Sequence, residues 1–155
     1  MKIEKIPMDI ELVIFDFYDT IIRTLYYNQN KLRNGIEELV EYLNNKEIPM
    51  VISSDGNEGD IELDFGYAIN QEFQNNFRKI YGTKHLLYDH QEKRLFKNLI
   101  QICNEQDVSP ARSVFIGDDF NGMDSFSAER CNIDYIIVPK YQNFSFMELV
   151  NYDSK

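Results

Sequence analysis

The sequence predicts an α/β protein: a mostly parallel sheet with helices on both faces. Three observations carry this. Short apolar, β-branched runs alternate with stretches of helical period. Each of the three strongest runs ends abruptly in polar residues, as buried strands do when they deliver groups to a sheet edge. The chain of 155 residues reads as one domain, residues 1–155, long enough to bury about two-thirds of its unfolded surface.

Taken in order, residues 12–16 read as a first strand. Residues 34–45 read as a helix with Ile36, Leu39, Val40 and Leu43 on one face. Met50 to Ser53, after Pro49, reads as a second buried strand. The acidic run 55–64 reads as a solvated loop, and 67–80 as a helix with Phe73 and Phe77 one turn apart. Residues 85–88 suit a third strand. Residues 91–106 read as a long helix with Leu95, Phe96, Leu99, Ile100 and Cys103 inward. A strand at 113–117, a short helix at 124–131, a last strand at 135–138 and a closing helical turn at 146–150 complete the alternation. The many tyrosines and phenylalanines read as core filler in a chain with Trp 0.

Bulk properties exclude several functions. The net charge is −10 and no Lys/Arg cluster is large enough to track a nucleic acid duplex. The same charge argues against a membrane surface, and no apolar run approaches the roughly 18 residues of a span. A phosphorylated substrate stays compatible, because bound Mg²⁺ inverts the local field. Cys103 and Cys131 form no metal or redox pattern, which with no signal peptide points to a reduced, cytoplasmic compartment.

Three polar clusters end hydrophobic strands: Asp16; Ser53, Ser54 and Asp55; and Gly117, Asp118 and Asp119. Topology alone brings them to one crevice. With the residues around them they resemble the haloacid dehalogenase-like hydrolase superfamily. Ile14-Phe15-Asp16-Phe17-Tyr18-Asp19-Thr20 resembles the first motif, Asp-x-Asp-x-Thr in phosphatases of the family. Val51-Ile52-Ser53 resembles the second, a lysine ahead of the last motif the third, and Phe115-Ile116-Gly117-Asp118-Asp119 the fourth.

The resemblance implies a three-layer α/β/α sandwich with a Rossmann-like sheet, and a phosphatase acting through an aspartyl-phosphate. Asp16 is then the nucleophile. Asp16, Asp118 and the main-chain carbonyl of Tyr18 hold Mg²⁺. Ser53 and Ser54, with backbone N–H groups, hold the phosphoryl group. Lys93 is the lysine of choice by spacing, with Lys97 and Lys84 as alternatives. Tyr18 stands where phosphatases of the family carry an acid/base aspartate; the dehalogenase branch carries tyrosine there. Tyr18 is read equally as catalytic and as structural, and Asp19 or a metal-bound water is a candidate replacement. Asp124 comes later after Asp118 than the family's spacing gives, so Asp119, Asn121 and Asp124 all stay open as supporting residues. His85 and His90 read as surface or packing residues.

The stretches from Asp16 to Ser53 and from Ser53 to Lys93 leave no room for a large cap domain. An open site suits exposed phosphates, on a small molecule or a macromolecule. Two other functions suit the same scaffold. One is a dehalogenase-like hydrolase. The other is a non-catalytic, phospho-accepting regulatory module with Asp55 as acceptor.

Overall fold

Strands buried on both faces need no alternation, only apolar residues, and the runs LVIF, MVIS and SVFIG contain no exposed position. A computed structural model of the chain describes residues 1–24, 31–68, 71–140 and 143–152. In chain order its elements are β1 (Leu12–Phe15), β2 (Ile22–Arg23), β3 (Lys31–Leu32), α1 (Ile36–Asn45) and β4 (Met50–Ser53). Then come α2 (Glu58–Ala68), α3 (Gln71–Gln74), β5 (Ile80–Tyr81), β6 (Leu86–Asp89), β7 (Arg94–Lys97) and α4 (Leu99–Gln106). β8 (Ser113–Gly117), α5 (Met123–Arg130) and β9 (Asp134–Ile137) follow, with a 3₁₀ turn at Phe146–Leu149.

The central sheet has five strands in the order β5-β4-β1-β8-β9, and every pairing is parallel. Its alternate side chains feed two cores. Val13, Phe15, Ile52 and Ile116 pack with α1, α2 and the Phe146–Leu149 turn. Leu12, Ile14, Val51 and Phe115 pack on the other face with α4 and α5. The fold is thus α/β with helices on both faces of a parallel sheet and no large cap. Aromatic rings fill the first core: Phe65 lies 4.7 Å from Phe17 and 5.6 Å from Phe77 between centroids.

Four expectations need correction. Residues 91–106 are not one helix. The segment begins in the turn of an antiparallel hairpin, β6–β7, that stands outside the central sheet, and only Leu99–Gln106 is helical. Leu95 and Ile100, expected inward, are exposed. The strand expected at 85–88 exists as β6, but its partner is β7; the sheet's edge strand is β5. β5 lies inside the helix expected at 67–80, of which residues 69 and 70 lie outside the described residues. The acidic run at 55–64 is largely the start of α2, whose Ile61 and Phe65, one turn apart, are buried.

The hairpin is built by local hydrogen bonds. Asp89 Oδ1 accepts from the N–H groups of Gln91 and Glu92, closing the turn. Its Oδ2 accepts from Arg130 Nε at 2.9 Å, which ties the hairpin to α5. The Lys97 N–H donates to Ser127 Oγ at 2.8 Å, a second tie to α5. Among the described residues no helix is long and apolar enough to cross a membrane.

Candidate active site

Side-chain alternation places the site. Leu12 and Ile14 face the α4–α5 core, so the next residue on that face is Asp16. On β4 the same face runs Val51, then Ser53; on β8 it runs Phe115, then Gly117. The registers Phe15↔Ile52 and Phe15↔Ile116 set Asp16 between those two. Gly117 is required: a Cβ there would run into the Asp124 carboxylate.

Lys97, at the end of β7, is only 1 % exposed. Its Nζ lies 2.9 Å from Asp16 Oδ1 and 2.7 Å from Asp124 Oδ1. A buried ammonium persists only when paired and hydrogen-bonded. Burial alone lowers the Lys97 pKa, but the Asp16 and Asp124 carboxylates outweigh it and hold the ammonium charged. Burial pushes the Asp16 carboxyl well above the ordinary carboxylate range; Lys97 opposes this, while Asp124 and Asp118 add to it.

Thr20 joins the two loops. Its Oγ1 donates to Asp16 Oδ2 and accepts from the Asp118 N–H, both at 3.1 Å. Asp118 is the unusual member. Among the described residues both of its carboxylate oxygens are buried without a hydrogen-bond partner, and it forms an ion pair with Lys140 at 3.9 Å. Oxygens of Asp16, Asp118 and Asp124 lie within 4.8 Å of one another. Asp16 and Asp124 share the buried Lys97 ammonium, while Asp118 faces the half-exposed Lys140. Two orphaned oxygens and excess negative charge are what a hard divalent cation would satisfy, so these residues fit Mg²⁺.

Asp119 does other work. It is left-handed, at φ 62°, and its carboxylate accepts from the Ser125 N–H and Oγ, holding the first turn of α5. Its N–H donates to Asp124 Oδ2 at 2.9 Å. Of the three residues left open by the sequence, the fold brings Asp124 to the carboxylate cluster.

An open cleft of about 250 Å³ lies above, lined by Asp16, Tyr18, Asp55, Asp118, Phe120 and Lys140 among others. Tyr18 enters it half-buried, and its hydroxyl donates to Asp64 Oδ2 on α2 at 2.5 Å. Burial first, then the hydrogen bond to Asp64, pushes the phenol far above its ordinary range. Asp19 accepts from the Thr24 N–H and Oγ1 through Oδ1, with Lys140 3.5 Å from Oδ2.

The lysine expected at 93 is elsewhere. Lys93 sits exposed in the β6–β7 turn at φ 55°, and the fold brings Lys97 to Asp16 instead. The reason is the strand: it runs to residue 97, and Asn98 caps α4 by accepting from the Gln101 N–H. That Asn was the available signal for where the helix begins. Lys84 is exposed. Ser54 turns inward, accepting the Gly56 N–H. Ser53 is buried next to Asp16, and its Oγ lies 2.7 Å from His85 Nε2. His85 is therefore no surface residue, and nothing in the local sequence pointed to its partner.

A family model described as haloacid dehalogenase-like hydrolase matches residues 9–138. No curated protein matches the sequence. Among solved structures, CbbY from Rhodobacter sphaeroides in complex with phosphate superposes with a TM-score of 0.68 at 13% identity, covering 88% of this chain and 90% of that one. A putative phosphatase from Clostridium difficile gives 0.67 at 16%, covering 92% and 91%. The N-terminal part of the Bacteroides fragilis protein BF1531, containing a phosphatase domain complexed with Mg, gives 0.61 at 15%, covering 82% of this chain and 35% of that one. At such identities the superpositions speak for the fold. The family model spans both strand-end aspartates, Lys97 and the sheet that joins them, and on that match the chain belongs to the haloacid dehalogenase-like hydrolase family.

Proposed function

We propose that the protein is a Mg²⁺-dependent phosphomonoester hydrolase in which Asp16 is the nucleophile. The observation that carries the reading is the buried Asp118 carboxylate, whose two oxygens accept no hydrogen bond among the described residues, beside an Asp16 already held by Lys97 and Thr20. Asp16 and Asp118, with the Tyr18 main-chain carbonyl and with Asp124 close by, would hold the ion. Its chemistry there would be to offset the charge of the phosphoryl oxygens.

An Asp16 carboxylate oxygen attacks phosphorus, the ester P–O bond breaks, and the leaving oxygen takes a proton from solvent. Water then attacks phosphorus and gives up a proton to solvent, the bond between phosphorus and the Asp16 oxygen breaks, and phosphate leaves with the carboxylate restored. Lys97 fixes the direction of Asp16 and balances charge as it passes to the phosphoryl group. Ser53 faces that group from β4. Tyr18 cannot act as a base, since its phenol stays protonated, so turnover is slow. The open cleft suits an exposed phosphate, on a small molecule or a larger one, and the acidic chain argues against duplex nucleic acid.

The test is release of phosphate from an aryl phosphate with Mg²⁺, beside an Asp16→Asn control. Metal-dependent turnover lost in the control is expected; turnover that survives the substitution sinks the nucleophile assignment. Tyr18 favours one second reading, a dehalogenase-like hydrolase. Halide release from a 2-haloacid without metal would establish it.

A further inference from the structure

The Ser53 hydroxyl beside Asp16 is not free to bind a phosphoryl group. His85 Nδ1 abuts the Gly82 carbonyl oxygen, and a carbonyl only accepts. Nδ1 therefore carries the proton of the neutral imidazole, and Nε2 is the acceptor. The Ser53 Oγ at 2.7 Å must then donate its one hydrogen to Nε2. That leaves only lone pairs for the cleft side, while a phosphoryl dianion can only accept. Turning the hydroxyl away from a neutral His85 would strand a buried acceptor. Protonating Nε2 avoids this: Nε2–H then donates to Ser53 Oγ, and the hydroxyl hydrogen is released toward Asp16.

We propose that His85 is the positioning residue for Ser53, and that a dianionic oxyanion enters the Asp16 site together with one proton, taken from solvent onto His85 Nε2. The inference rests on the phosphatase reading, because it is the phosphoryl group that Ser53 would face. Burial dominates the surroundings of His85 and disfavours its charged form, with smaller influences in both directions. Glu58 from α2 and the Gly82 carbonyl favour the imidazolium, and Lys97 from β7 opposes it. The Tyr81 ring stands 5.8 Å away, and the neighbouring Lys84 points to solvent. Burial is the largest influence and keeps the free imidazole below its ordinary range.

The experiment uses sulfate, which stays a dianion across the working pH range. The chain has His 2 in its composition, so ¹⁵N spectra of the wild-type protein resolve both rings, and His90→Gln identifies them. In the free protein at neutral pH His85 is expected to be protonated on Nδ1 alone, with Nε2 becoming protonated as sulfate saturates. Sulfate affinity should rise up to about tenfold for each unit of falling pH until the free ring itself titrates. His85→Gln should flatten that dependence, since its amide donates to Ser53 at every pH. His85 nitrogens unmoved by sulfate, a free ring protonated on Nε2, or an unchanged slope in His85→Gln would each overturn the inference. These results stand apart from the Asp16→Asn assay, which tests the phosphatase reading alone; the sulfate titration itself is read on the wild-type protein, with His90→Gln used only to assign the rings.

Discussion

In the proposed reaction Tyr18 is the side chain that limits turnover. Its hydroxyl is committed to Asp64, and burial with that bond keeps the phenol protonated. A group that neither accepts nor readily gives a proton contributes little to leaving-group departure. Tyr18→Asp should therefore raise kcat toward aryl phosphates by roughly 10²–10⁴, the usual worth of general acid–base catalysis; an unchanged or lower kcat would assign Tyr18 a productive role. His85 gives a residue-scale prediction for stability. Burial lowers its pKa in the folded state, so the unfolded chain takes up the proton first. Stability contributed by the neutral ring is then complete above the unfolded value of about 6.5 and is lost as pH falls below it. Urea unfolding across that range should show the loss in wild type, and a shallower one in His85→Gln.

At the scale of elements, β7 and α4 meet at Asn98, and the site depends on where that boundary falls. Asn98→Ala removes the cap donated to by Gln101 and should cost about 1 kcal/mol in denaturant unfolding. The same boundary explains what the sequence hid. Leu95, Phe96, Leu99, Ile100 and Cys103 fall at helical spacing by accident of a strand running into a helix, so residues 91–106 read as one helix and Lys93 as its start. β1, β4 and β8 were legible because buried parallel strands write themselves as unbroken apolar runs. Asp16 and Asp118 were legible because they end such runs. Lys97 was only an alternative, and His85 was invisible as a site residue, because both act through contacts across the fold: Lys97 meets Asp16 and His85 meets Ser53. α2 was missed because its face toward the core is two residues wide, Ile61 and Phe65, amid acidic neighbours.

For the whole molecule, folding gathers carboxylate oxygens of Asp16, Asp118 and Asp124 within 4.8 Å of one another, so on the proposed reading Mg²⁺ binds the folded state in preference to the unfolded chain. Mg²⁺ should then raise the Tm, by about 2.7 kcal/mol of stabilisation at a hundred times its Kd. Asp118→Asn should abolish most of that rise. A Tm equally responsive in the variant would place the ion elsewhere.

The buried Lys97 also constrains the order in which the chain folds. Its two partners come from opposite ends of the sequence, Asp16 near the start and Asp124 near the finish. Until both arrive, burying the ammonium is unfavourable, so the hairpin stays hydrated and undocked. Closure of the longest loops must come before the reward for closing them. On dilution from denaturant, helical signal should therefore return before the proposed phosphate release, with the lag set by docking of β6–β7 onto α5. Simultaneous recovery of both in stopped-flow measurements would rule out that sequence of events.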